Sequence, residues 1–557
     1  MPRHSNLRRR GSPSSTGQHL LRCSGWKRVG KGCRGSGTLC YTSAGNPPDS
    51  EMNLKQTLER TARDMPRKEA IVFGARRITY GELDEASNRI ANALSEMGMS
   101  RGDHVAILMS HRPEWVINYF GVVKGGGVAV LLNPALKAPE LTSILQDSDS
   151  KILLTEQQFS IMFTPASSST PFRGHVVEVD VDSFAITMAH ASAAPPDVDI
   201  EDGDEASIIY TSGVVGTQKG VVHTHESLMG TPPIVSEGIE RKREDVIIDL
   251  VRFSHLFGLC EVLLGSVMTG STIVLIPDFT PRVVLEAIER ERGTIIFGVP
   301  AMYNAMAMVR GEVLRGHDLS SLRLAVTAGA KSFPELMKAL EDKFSVSLYE
   351  VYGLTEVSAV SISTRDCRKL GTVGKPICDI RIVDDNGKEV SQGEIGEAVF
   401  NAPWVMKGYH KAPELTAEVC RDGWFSTGDL VRMDEHGYLE YIEKKSFIIV
   451  TPSGLKIGPS EVEFVLLGHP SVAEAAYVGI DNGYGEQIPT AFVVPKEGQH
   501  VTAKELSDLC YENLADFKLP KRIEFVEGIP KTASGKIDRR ILKETHTTGG
   551  APRTASL

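Results

Sequence analysis

Ile208-Ile-Tyr-Thr-Ser-Gly-Val-Val-Gly-Thr-Gln-Lys-Gly-Val221 is the stretch on which the fold of this 557-residue chain turns. Its apolar opening reads as a strand. A turn follows with Gly213, Gly216 and Gly220, which let the backbone bend and bring its N–H groups close to a ligand. Thr211, Ser212 and Thr217 add hydroxyls and Lys219 a positive charge, a set of donors suited to a polyphosphate. The stretch is not a Walker A loop, because Gln218 precedes the lysine and Gly220, rather than Ser or Thr, follows it. Taken alone it fits a flexible surface turn as well as a phosphate loop, so its neighbours must decide.

Those neighbours alternate between strand and helix. Ala70–Phe73 and Arg77–Tyr80 read as two short strands around a Gly-Ala turn, followed by a long helical spacing that starts at Tyr80. His104–Met109 and Gly127–Leu132 read as strands around a helix at Glu114–Val123. After a Ser-, Pro- and Asp-rich span at 156–203, expected to be irregular surface, strand-like runs return at Ser271–Ile276, Thr294–Pro300, Leu322–Lys331 and Ser347–Glu356. A helix is expected at Pro334–Phe344, with proline in its first turn. Such alternation implies parallel sheets with helical crossovers. In such sheets ligands bind beyond the carboxyl ends of the strands, which makes the ends near Thr211, Gly329 and Thr355 candidates to converge.

From Ile380 the texture becomes antiparallel, with Asn386-Gly387 between apolar runs as a hairpin signal. Beyond about residue 445 the pattern is a compact α+β unit. The expected fold is therefore α/β: a large N-terminal domain (52–444) of stacked, mostly parallel sheets with helices and a small antiparallel barrel-like region, then a small α+β C-terminal lid domain (445–545). A leader (1–51) and a tail (546–557) are expected to be disordered. The leader carries nine basic residues and no acid through residue 48, so the rest of the chain, at a total of −10, carries −19. Its composition fits a transit peptide in part; Met52 as the true start is the favoured alternative, and a basic nucleic-acid arm the weakest. The acidic body argues against nucleic acid as the main partner. No apolar run approaches the ~20 residues of a membrane helix. The eight cysteines show no framework spacing and suit reduced thiols in a cytoplasmic setting.

Six segments in order resemble the adenylate-forming (AMP-binding) superfamily, which includes acyl-CoA synthetases, aryl-CoA ligases and peptide-synthetase adenylation domains. They are the 208–221 loop, His255-Leu-Phe-Gly-Leu259, Tyr352-Gly-Leu-Thr-Glu356, Gly371-Thr-Val-Gly-Lys-Pro376, Gly423-Trp-Phe-Ser-Thr-Gly-Asp429 and Pro530-Lys-Thr-Ala-Ser-Gly-Lys536. The resemblance spans roughly residues 52–545. It implies ATP-dependent activation of a carboxylic acid, fatty or aryl, to an acyl-adenylate, followed by transfer to coenzyme A. A separate acyl carrier protein is the alternative acceptor, and a catalytically impaired nucleotide-binding relative the alternative from another class.

By the same resemblance, Lys536 bridges the acyl oxygen and α-phosphate, with Thr355 and Glu356 in the catalytic set. Glu356 and Thr211 serve Mg²⁺. Thr211, Ser212, Gly213, Gly216, Thr217 and Lys219 contact phosphate. Gly329, Ala330, Tyr352 and Gly353 lie along the adenine, and Asp429 and Lys444 hold the ribose. His255, Phe257, Gly258 and Gly329 line the acid site. Each has a plainer reading as well: a solvated lysine, a helix cap, a core aromatic or a turn acid. The chain also departs from the family. Val214 and Val215 replace two hydroxyl residues, Gln218 a proline, Arg252 a proline and Lys331 a proline. In Glu443-Lys-Lys-Ser-Phe-Ile-Ile449, Lys444 replaces an arginine, and Ser446 and Phe447 replace a Lys-Asp hinge. These changes predict weak ATP affinity and slowed lid rotation.

Overall fold

A computed structural model describes residues 52–163, 172–212, 218–450, 456–481, 487–532 and 535–546. The apolar runs of the sequence become the centres of two large sheets. In the nine-stranded sheet, six strands run parallel in the order Ser347–Leu354, Leu324–Ala328, Ile295–Gly298, Val246–Asp249, Thr272–Leu275 and Glu69–Phe73. Antiparallel strands close its two edges, Arg76–Thr79 on one side and Ser358–Ile362 with Lys375–Pro376 on the other. Three of the six are buried at every residue and the other three at all but their ends, without polar alternation, as parallel strands covered on both faces are.

The second sheet has seven strands, ordered Gly408–Tyr409, Gln218–Thr224, Glu205–Ser212, Val128–Leu131, His104–Leu108, Ile152–Thr155 and His175–Glu178. Its last five are parallel. The helices between strands show ordinary start signals. Thr79 caps Tyr80–Glu96 in a capping box with Glu82, and proline opens Pro113–Lys124 and Pro334–Phe344.

Two expectations need correction. Residues 156–203, read as irregular surface, contain the strand His175–Glu178 and the helix Asp182–His190. The short strand is exposed to half-buried and so lacks an apolar run. The Asn386-Gly387 turn forms, but its return leg makes one isolated bridge, Val383 to Glu389; Asp379–Val383 finds its full partner in Ile395–Asn401.

That pair belongs to a five-stranded antiparallel sheet with Trp424–Met433, Cys420–Arg421 and Leu439–Lys444. A 3₁₀ turn at Lys445–Phe447 follows, and then a small unit. There the strands Val472–Asp481, Gln487–Pro495 and Arg522–Phe525 are covered by helices Pro459–Leu467, Ala503–Asn513 and Arg539–His546. This unit has its own apolar core around Val462, Tyr477, Ala491 and Leu506. The whole is a mixed α/β fold with two large sheets, an antiparallel sheet and a small C-terminal unit.

Candidate active site

The quoted stretch folds as an antiparallel hairpin rather than a strand ending in a free turn. Glu205–Ser212 pairs with Gln218–Thr224, placing Thr211 opposite Lys219. Gly213, Gly216 and Thr217, named above for phosphate, lie outside the described residues with Val214 and Val215, and so does the side chain of Ser212. Thr211 and Lys219 are half-buried at the described rim of the hairpin. The Lys219 ammonium stands 5.2 Å from the centre of the Tyr409 ring.

Tyr409 connects this hairpin to the second motif. Its hydroxyl donates to Glu356 Oε1 at 2.8 Å. The Glu356 backbone is held as well, its carbonyl accepting from the Met406 N–H at 2.7 Å. The adjacent carbonyl of Thr355 faces His223 Nε2 at 2.7 Å. Burial pushes the pKa of His223 down to about 4, so the ring is neutral. Because a carbonyl only accepts, Nε2 carries the proton and Nδ1 accepts from Ser227 Oγ at 3.0 Å. Gly353 permits the turn: a Cβ there would collide with the Ser358 carbonyl. The ends of both large sheets therefore meet around Glu356.

Asp429 forms the third side. It is 4% exposed, and Tyr352 donates its hydroxyl to Oδ2 at 2.7 Å. Lys444, directly opposite Asp429 on the neighbouring strand, sets its ammonium 2.9 Å from Oδ1 and donates to the Thr427 carbonyl at 2.9 Å. The Tyr352 ring is only 8% exposed and packs against Phe400 and Tyr441. Its contact with a base is thus restricted to a narrow exposed edge, and its hydroxyl serves the carboxylate.

Gly329 and Ala330 are exposed at the end of Leu324–Ala328, Gly329 with φ +87°. The chain continues into Lys331, which donates to the Ile442 carbonyl at 3.4 Å, and Phe333, which stacks on Phe464 of the C-terminal unit at 4.2 Å. His255 lies half-buried, with Nε2 3.4 Å from Asn133 Nδ2. Burial, then the charges on Lys536 and Arg252, lower its pKa to about 4. Phe257 opens a π-helix, Phe257–Leu264, and leans on Phe297; Gly258 lies over the Arg252 carbonyl, which a Cβ would strike. A π-helical turn is rare and often accompanies a functional site.

Lys536 sits just past residues 533–534, which lie outside the described set, in a tight turn. There its carbonyl accepts from the Thr532 N–H at 2.7 Å, and Lys531 bridges to Ile537. The side chain is open to solvent at the mouth of the cleft. Even so, the protein around its ammonium, and then the charge on Lys444, lower its pKa, while Asp429 and Glu356 pull it back up. The lid lysine is thus electrostatically coupled to the other three sides of the site: to Glu356, to the Asp429–Lys444 pair and to His255.

The sequence reading did not single out Tyr409, His223 or Asn133. Each acts through a partner far away in the chain, and a lone Tyr, His or Asn carries no local signal of such a partner.

Comparison with known proteins decides the family. The AMP-binding enzyme model matches residues 58–410, and the model of the AMP-binding enzyme C-terminal domain matches residues 461–536. The chain belongs to the AMP-binding enzyme family. It is similar to a feruloyl-CoA synthase of Amycolatopsis, with 34% identity over 86% of the chain and 96% of that relative. It is also similar to the long-chain-fatty-acid–CoA ligase FadD13 of Mycobacterium tuberculosis, with 32% identity over 89% of the chain and 99% of that relative. Among solved structures it resembles the anthranilate CoA ligase AuaEII in complex with anthranoyl-AMP, with a TM-score of 0.82 and 29% identity over 89% of the chain and 98% of that structure. In this AMP-binding enzyme, Glu356, Asp429 and Lys444 all lie near enough to Lys536 for their charges to act on its ammonium. Lys536 and Lys444 supply positive charge, as a site where two anions must meet requires.

Among the described residues no cluster of three or more His, Cys, Asp or Glu side chains could hold a metal ion by itself. Magnesium is commonly held by one or two carboxylates plus substrate phosphates. The Glu356 carboxylate and Thr211 hydroxyl are hard oxygen donors of the right kind, so the residues present fit such an ion.

Proposed function

We propose that this AMP-binding enzyme is an AMP-forming acid–thiol ligase. It condenses a carboxylic acid with ATP to an acyl-adenylate and pyrophosphate, then transfers the acyl group to coenzyme A with release of AMP. What supports this reading is that the charges of Glu356, Asp429 and Lys444 reach the Lys536 ammonium. A carboxylate is a poor electrophile and its attack on the α-phosphate brings two anions together. A lysine facing both lowers that barrier by stabilising charge as it develops.

The other residues bind and orient. Asp429, held by Tyr352 and Lys444, presents a fixed carboxylate to the two ribose hydroxyls. Lys219 and the hairpin receive the β- and γ-phosphates, and Gly329 and Ala330 leave flat, open backbone beside the adenine and acyl group. Magnesium, held by Glu356 and Thr211, would neutralise phosphate charge when bound. Neutral His255 borders the acid without placing a second positive charge beside it.

Coenzyme A is the acceptor favoured by the synthetases to which the chain is similar. The relatives act on aryl and long-chain acids, and this chain's acid falls within that range. The five described cysteines are not in disulfides, which supports action in a reducing, cytoplasm-like compartment, and among the described residues no helix is long and apolar enough to cross a membrane. The test is acid-dependent AMP release across short, long and aryl acids, with and without coenzyme A. The reading expects at least one acid to give AMP and an acyl-CoA product. Absence of AMP release across the panel would favour the catalytically impaired alternative.

A further inference from the structure

Tyr409 touches two opposite charges of the site, and nothing in the proposed reaction yet uses it. The segment 406–410 is laced to the hairpin's return strand. Gly408 and Tyr409 pair with Val222 and Val221, Lys407 N–H donates to the Val222 carbonyl at 2.9 Å, and His410 N–H donates to the Gly220 carbonyl at 2.7 Å. Thr416 braces the tyrosine from behind, accepting from its N–H at 2.9 Å while donating to the Ala412 carbonyl at 3.0 Å. The side chain is therefore fixed, and only 8% of the residue is exposed. Its hydroxyl meets Glu356 Oε1 at 2.8 Å, and its ring meets the Lys219 ammonium at 5.2 Å.

We propose that Tyr409 is a positioning residue that holds Lys219 and Glu356 apart and aims each at the nucleotide. An ammonium and a carboxylate that paired with each other would each be spent. The phenol contacts both, its ring the lysine and its hydroxyl the glutamate. Its hydroxyl satisfies one oxygen of Glu356 and so fixes the carboxylate plane, while its face confines the lysine by a cation–π contact. Lysine is thereby reserved for phosphate and the glutamate for magnesium. This inference rests on the proposed ligase function.

The test is calorimetric binding of a non-hydrolysable ATP analogue to the full-length protein, in EDTA and in magnesium, for the wild type, Tyr409→Phe and Tyr409→Leu. Phenylalanine keeps the ring and removes the hydroxyl. Its affinity in EDTA is expected to stay within about twofold of the wild type, while the gain in affinity on adding magnesium falls roughly tenfold, the worth of one hydrogen bond to a charged group. Leucine removes both contacts and is expected to weaken binding in EDTA as well. A Tyr409→Phe protein whose magnesium gain equals that of the wild type overturns the proposal. So does an equal loss in EDTA and in magnesium for both variants, which marks a structural role only. Failure of the wild type to bind the analogue at all overturns the ligase reading together with this inference, whereas wild-type binding unchanged in Tyr409→Phe overturns this inference alone.

Discussion

Lys536 brings its positive charge into a cleft that already holds Lys444, and the consequence is a pH dependence. The lysine is active when protonated. Its pKa lies below the ordinary lysine value because protein crowds the ammonium and Lys444 repels it. Adenylation should therefore decline on the alkaline side at a lower pH than an unperturbed lysine would give. Removing the repelling charge with Lys444→Gln raises the Lys536 pKa and should move that limb to higher pH. The KM for ATP should rise in the same variant, because Asp429 loses its partner. Exchange rates measured between pH 7 and 10 check both effects; an unmoved limb would show that the two lysines do not sense each other.

Val214→Thr with Val215→Thr should lower the ATP KM by roughly 100-fold or more, since each hydroxyl bond to a charged phosphate contributes about 1.5–3 kcal/mol. Of the residues around the cleft, those within contiguous motifs (Glu356, Asp429, Lys536) could be read from the sequence, because the chemistry of each is marked by its immediate neighbours. Tyr409 and His223 could not, because their meaning lies in a pairing between strands nearly two hundred residues apart and in a carbonyl 132 residues away.

The elements around the site divide in the same way. Strands with four consecutive apolar residues, such as Val128–Leu131, stand out because burial on both faces demands such a run. His175–Glu178 does not, because an edge strand whose side chains are exposed or half-buried needs no such run. The π-helix at Phe257–Leu264 has no local signature in the sequence either. The contact between large and small units is carried in part by the Phe333–Phe464 stack, an aromatic pair worth about 0.5–1.5 kcal/mol beyond its buried area. Rotation of the lid toward the thiol step, as the proposed reaction needs, breaks that stack. Phe464→Ala should therefore slow adenylation by roughly two- to tenfold while leaving thioester formation from supplied acyl-adenylate undiminished. Separate assays of the two half-reactions check this, and equal slowing of both would contradict it.

At the scale of the whole molecule, two sheets, an antiparallel platform and a small cap each contribute a charged group to one cleft. The hinge between platform and cap is not a bare linker. Phe447 lies under the Arg539 guanidinium at 4.9 Å, and Arg539 is paired with buried Glu463. The hinge residue is thus anchored to the cap, a coupling that the sequence showed only as an unexplained aromatic. The central claim is that the cap's Lys536 drives attack of a carboxylate on ATP. Carboxylate-dependent exchange of labelled pyrophosphate into ATP measures that step without the thiol. The account predicts exchange by the wild type with an accepted acid and a loss of at least about 100-fold in Lys536→Ala, with nucleotide binding retained. Exchange at the wild-type rate in Lys536→Ala would contradict it.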